Sequence, residues 1–205
     1  MAFMPCYAKL EGKPYDFPEV QWYRDGVGYA LKNNLIANCE NGYFEPDGKT
    51  SRGVAINALW QLGGRKTVTA EENFADVSAD SKYFKAVCWA NESGIAGGYT
   101  DGFFGVEDSL TREQMVTLLW RYAKHQGYDV SVGEETNILS YDDAFEISEY
   151  AIPAMQWACG SGVLTGQNTA GGIALNPSGT TTRAQLSVVL LRFDQWVKQT
   201  QVLPQ

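Results

Sequence analysis

A unit that occurs three times constrains this chain more than any other feature. Its cleanest copy, residues 74–123, opens with Phe74-Ala75-Asp76-Val77 and enters a helical stretch from about Lys82 to Ser93 that stops at Gly94. A glycine-rich loop follows, Gly97-Gly98-Tyr99-Thr100-Asp101-Gly102, and Thr111-Arg112-Glu113-Gln114 opens a second helix. Thr111 and Gln114 fit a reciprocal capping box, in which each side chain takes a backbone N–H that the helix start leaves without a partner. Behind them Met115, Leu118, Leu119 and Tyr122 fall at i, i+3, i+4 and i+7, one apolar stripe of a helix.

The arginines that open the second helices, Arg52, Arg112 and Arg183, stand 60 and 71 residues apart. In the first copy Phe17-Pro18-Glu19-Val20 answers Phe74-Ala75-Asp76-Val77, and Asn41-Gly42-Tyr43-Phe44 answers Asp101-Gly102-Phe103-Phe104. In the third copy Tyr141-Asp142-Asp143-Ala144 answers the opening motif, Trp157-Ala158 answers Trp89-Ala90, and Thr182-Arg183-Ala184-Gln185 answers Thr111 to Gln114. The stripe recurs as Ala55, Ala58, Leu59, Leu62 and as Leu186, Val189, Leu190, Phe193. A unit this small cannot bury its apolar face alone, so the expected fold is mainly α, with three tandem helix-loop-helix units stacked into one body.

The expected organisation is a lead-in over 1–16, units over 17–66, 74–124 and 139–197, and a tail over 198–205. Asparagine at Asn33-Asn34 takes the helix-ending place of Gly94 in the first unit. Residues 125–139 read as a polar, exposed link, with a brief extended piece at Val130 and Val132. The third loop is longer, 16 residues from Gly166 to Thr182 against 13 from Gly98 to Thr111, and Gly171-Gly172 is expected to form the extra turn.

Of 205 residues 44% are hydrophobic, which suits a packed body rather than a disordered chain, and the formal charge of −8 repels nucleic acid and anionic membrane. Any anionic ligand must then be held by local cations. No run is long enough to span a membrane, and residues 1–10 lack the apolar core of a signal peptide. Either a signal has been removed, the chain is a piece of something longer, or it is never exported. The four cysteines, at 6, 39, 88 and 159, have no metal-site spacing and there is one histidine, His125, so neither a metal nor a cofactor is expected. The same lone histidine leaves a nucleophilic triad nothing repeated to organise it, and no catalytic residue is assigned.

Three arginines at helix starts are the sharpest signal, because the positive end of the helix dipole lies there and a local account would prefer Asp or Glu. Arg52, Arg112 and Arg183 either aim a guanidinium fork at a carboxylate or vicinal hydroxyls, or bond carbonyls of the neighbouring unit. One residue can do both. Gly97, Gly98 and Gly102 either let a partner approach the backbone or serve turn geometry. Trp89 and Trp157 read as core. Trp22, Tyr83 and Tyr150 sit at helix starts and could face a sugar ring, and Lys82 could add a cation.

The ordered anchors, Phe-x-Asp-Val, Tyr-x-x-Ala-Val, Gly-Ile, Gly-Tyr-x-Asp-Gly-x-Phe and Thr-Arg-Glu-Gln, resemble the S-layer homology (SLH) domain over roughly residues 17–193. The resemblance implies a pseudo-threefold, three-pronged body that anchors extracellular proteins to the cell wall by holding secondary cell-wall polysaccharide, often pyruvylated, in its grooves. On that footing the candidate carbohydrate-binding residues are Trp22, Arg52, Asp76, Lys82, Tyr83, Gly97, Gly98, Thr111, Arg112, Tyr150, Gly166 and Arg183. The second unit keeps its motifs most fully, so the site is expected to centre there. The alternative is a structural or assembly protein of a surface layer or virion, using the same body for protein contacts, with cargo domains as further partners.

Overall fold

A computed structural model describes Pro14, Asp16, Phe17 and residues 20–39, 41–69 and 74–200. Most of the expected lead-in over 1–16 and the tail beyond Thr200 lie outside the described residues. Among those described, the fold is mainly α. Each unit supplies a short first helix and a longer second one: α1 (Arg24–Lys32) and α2 (Arg52–Leu62), α3 (Phe84–Glu92) and α4 (Arg112–His125), α5 (Ile152–Gly160) and α6 (Arg183–Thr200).

The helix ends follow the sequence signals. Thr111 Oγ1 accepts from Gln114 N at 3.2 Å while Gln114 Oε1 accepts from Thr111 N at 3.0 Å. Thr182 and Gln185 repeat the exchange, and Ser51 caps α2 alone. The first helices turn off through left-handed residues, Asn34, Gly94 and Gly162, at φ 55°, 68° and 72°. The long third loop folds as a hairpin of β1 (Gln167–Asn168) on β2 (Ile173–Ala174), with Gly171 and Gly172 in its turn.

Two expectations are corrected. Residues 131–133 form a 3-10 turn rather than an extended piece. Gly133 lies so close against α5 that an added Cβ would sit 2.9 Å from Trp157 N, and Gln156 Nε2 donates to Thr136 O at 3.2 Å. This link is therefore packed over the third unit instead of merely bridging to it. The opening motif of the first unit is also displaced by three residues. Asp76 accepts the N–H groups of Phe104, Gly105 and Val106, and its counterpart is Asp16, which accepts those of Phe44 and Glu45. Asp143 does the same for Leu175 and Asn176. Residues 14–17 thus answer 74–77, and Pro14 stands in the place of Phe74.

The units join in a closed head-to-tail cycle. Thr50 N donates to Thr181 O, Thr181 N to Leu110 O and Leu110 N to Thr50 O, at 2.8–2.9 Å. Around this ring the first residues of each second helix donate into the next unit's loop: Arg52 N to Asp108 O, Arg112 N to Gly179 O, and Arg183 N to Gly48 O. Helix-start N–H groups have no intrahelical acceptor, so neighbouring loops satisfy them. One continuous apolar core runs through all three units, from Val27 and Ile56 through Trp89 and Leu118 to Trp157 and Phe193. Trp89 and Trp157, 4% and 0% exposed, are core as expected.

Candidate functional site

The three arginines make one contact pattern three times, each onto the next unit. Arg52 Nε donates to Phe104 O and its Nη2 to Gly97 O, both at 3.2 Å. Arg112 Nε donates to Leu175 O at 2.7 Å and Nη2 to Thr165 O at 3.4 Å. Arg183 Nε donates to Phe44 O and Nη2 to Ala37 O, both at 2.6 Å. All three side chains are buried, 8%, 3% and 9% exposed. The planar fork reaches two carbonyls of one loop, which a lysine cannot.

Aromatic rings distinguish the three. The Arg52 guanidinium lies 5.1 Å from the Tyr99 ring and 5.0 Å from Phe104, and Arg183 lies 4.8 Å from Phe44. At the corresponding places beside Arg112 the third loop has Gln167 and Leu175, neither of which offers a ring. Arg112 accordingly faces an open cavity of about 200 Å³, whose lining includes Trp22, Gly166, Gln185 and Arg192. None of the described residues that line it is a carboxylate. Burial pushes the Arg112 pKa down, Cys159 and Asp143 counter it, and Arg192 adds a further downward push as a like charge. Arg192 Nη1 in turn donates to Thr165 Oγ1 at 3.1 Å.

Several expected site residues are placed by packing instead. Burial raises the Asp76 carboxyl, but the three N–H groups it accepts outweigh this and hold it below the usual range. Asp76 therefore braces its loop. A Cβ on Gly98 would clash with the Phe74 ring and sit 2.6 Å from Phe103 O, and one on Gly166 would sit 2.7 Å from the Tyr141 ring. In the first unit Pro14 corresponds to Phe74 and Asn38 to Gly98. Gly97 is exposed, has ordinary room for a Cβ, and contributes its carbonyl to Arg52. Tyr83 is 7% exposed and packs on Gly53, where a Cβ would be 2.9 Å from its ring. Its face is not available as a groove rim. Thr111 is the α4 cap.

Trp22 and Tyr150 remain open, 65% and 51% exposed, and Lys82 is exposed with Nζ 5.0 Å over the Tyr83 ring. The expected centring on the second unit is modified: Arg112 meets the third unit's Gly166 and the first unit's Trp22, whereas Gly97 and Gly98 belong beside Arg52. The sequence reading missed Arg192, Gln185 and Glu113. Arg192 had a signal, since it and Arg121 each follow the motif arginine by nine residues, where the first unit has Gln61. Glu113 is 7% exposed and accepts from Ser148 N at 3.0 Å, Ser148 Oγ at 2.8 Å and the Tyr150 hydroxyl at 3.2 Å. Burial, and then Glu113, push the Tyr150 phenol up to about 12.

The fold and site together define a ring of helix-loop-helix repeats whose arginines clasp the loop of the next repeat. Two of its segments, residues 15–53 and 73–116, match the S-layer homology domain. The chain is 28% identical over 178 residues to the surface-layer 125 kDa protein of Lysinibacillus sphaericus, covering 86% of this chain and 14% of that protein. It is 33% identical over 175 residues to an endoglucanase of Bacillus sp. (strain KSM-635), covering 85% of this chain and 18% of the relative. An amylopullulanase of Thermoanaerobacterium thermosulfurigenes is 24% identical over 188 residues, 90% of this chain and 10% of the relative. The chain thus spans less than a fifth of the length of each of these relatives.

Proposed function

We propose that this chain is a non-catalytic module that anchors proteins to the bacterial cell wall by binding secondary cell-wall polysaccharide, and that residues 139–197 are a third, diverged SLH copy. The observation that carries the binding reading is the cavity beside Arg112. There Arg112 and Arg192 both line the cavity, Trp22 offers a ring face and Gln185 an amide, and none of the described lining residues is a carboxylate. Two arginines lining one cavity in a chain of net charge −8 suit an anionic group, and the indole suits the apolar face of a sugar. A pyruvylated saccharide combines both. That proteins as different as a surface-layer protein, an endoglucanase and an amylopullulanase share this stretch fits a portable surface anchor.

Sedimentation with isolated wall material tests this. The purified protein should pellet with walls and remain in solution once the non-peptidoglycan polymer has been stripped, and Arg192→Ala should weaken pelleting about tenfold. Equal binding to stripped and unstripped walls would reject the reading. Assembly through protein contacts is the second reading, favoured by Phe145 and Val20, which are 91% and 89% exposed. It would be supported if self-association in solution were lost in Phe145→Ser.

A further inference from the structure

Polar side chains stand where the ring of units closes. Thr50, Leu110 and Thr181 are buried, and each follows an exposed residue (Lys49, Ser109, Thr180) and precedes a half-buried one (Ser51, Thr111, Thr182). Extended backbone alternates its side chains, so the three middle residues turn into the body from the same face of the ring. At Leu110 the inward group is apolar and suits the core. At the other two places it carries a hydroxyl. Thr50 and Thr181 are 1% and 0% exposed, and neither Oγ1 has a hydrogen-bond partner among the described protein groups. Buried hydroxyls within the second helices are satisfied one turn back: Thr117 Oγ1 donates to Glu113 O at 2.7 Å, and Ser187 Oγ to Arg183 O at 2.8 Å. An unpaired buried hydroxyl is costly, and two on neighbouring ring residues call for a polar group between them.

We propose that one internal water bridges Thr50 Oγ1 and Thr181 Oγ1 inside the ring and locks the first unit to the third. Its place in the cycle is what gives it a role. Residues 63–73 connect the first unit to the second and 126–138 connect the second to the third, whereas no stretch of chain joins the third back to the first. The joint without a covalent link is the one where Thr50 N donates to Thr181 O and where both hydroxyls stand. The same joint is closed further out by α1 on α6, where a Cβ on Gly26 would sit 2.8 Å from Val188 N. A buried water needs at least two polar partners, and each hydroxyl can donate to it or accept from it. A metal cation does not suit the place. Leu110 brings no side-chain oxygen, and the three second helices begin two residues beyond the ring with their positive dipole ends toward it.

The test joins a crystal structure of the intact chain to a double-mutant cycle. At about 1.2 Å resolution the density should show one water, about 2.8 Å from both Oγ atoms. Crystals grown in bromide should show no anomalous peak there, which separates a water from a halide. Valine keeps the shape of threonine without its hydroxyl. Thr50→Val and Thr181→Val should each raise the unfolding equilibrium constant about fivefold in urea melts, because each leaves the water and the other hydroxyl short of a partner. The double variant should be no less stable than either single one, since the water leaves with its second partner. Hydroxyls bonded to each other or to a carbonyl in the crystal, or a bromide peak between them, would overturn the water lock. Additive effects in the cycle would overturn it too, whether the valines stabilise or destabilise.

Discussion

Each motif arginine holds two carbonyls of a neighbouring unit from a buried position, so its removal leaves acceptors without a donor inside the body. Arg183→Ala and Arg52→Ala should each lower stability by about 2–4 kcal/mol, read from urea melts, and lysine should rescue little because it cannot fork. Arg112→Ala should lose stability as well as ligand. An unchanged melt with lost binding would mean that its carbonyl contacts contribute nothing. Tyr122 offers a pH test. It is 2% exposed, its hydroxyl accepts from Gln126 Nε2, and burial pushes its phenol up to about 12 against an ordinary value near 10. A raised folded-state pKa makes the stabilising contribution complete below pH ~10 and loses it as pH rises through ~12, an effect of about 3 kcal/mol. Phenolate absorbance should show one late-titrating tyrosine beside Tyr150, and Tyr122→Phe should flatten the loss of stability.

At the level of elements, capping and close approach set the joints. Thr111→Ala removes one half of the α4 box and should cost about 1 kcal/mol, measurable as a shift of the thermal midpoint. Gly53→Ala should cost more than Thr111→Ala, because its Cβ would meet both the Tyr83 ring and Val106 Cγ1 at 2.9 Å, where α2 and the second unit pack together. If Gly53→Ala melts like the parent, the α2–α3 joint is looser than its geometry states. The same position carries Glu113 in α4, a buried carboxylate that accepts from Ser148 and Tyr150, and Ala184 in α6.

The whole molecule closes on itself through the Thr50, Leu110 and Thr181 ring and through the three arginine clasps. A closed cycle has no spare end. Deleting residues 139–205 removes the carbonyls that Arg112 grips and the arginine that grips the first loop, and it bares the stripes of α2 and α4. The truncated chain should aggregate or melt without cooperativity in light scattering and circular dichroism. A monomer with the parent's melt would show that the first two units are self-sufficient.

The repeat, the helix caps, the left-handed helix endings and the apolar stripes were legible in the residues themselves, because each depends on neighbours three or four positions away. The arginines were singled out on the same local ground, as cations at the wrong end of a helix dipole. What they bond was not legible: the carbonyl partners of Arg183 lie 139 and 146 residues away, and only the closed cycle brings them within reach. The register of the first opening motif failed for a related reason. Residues 17–20 match by letters, but the chain is held by the Asp16 carboxylate, and a hydrogen-bond role outranks a resemblance of side chains. Which arginine lines an open cavity was likewise decided by packing, since Tyr99 and Gln167 meet Arg52 and Arg112 only when neighbouring units come together.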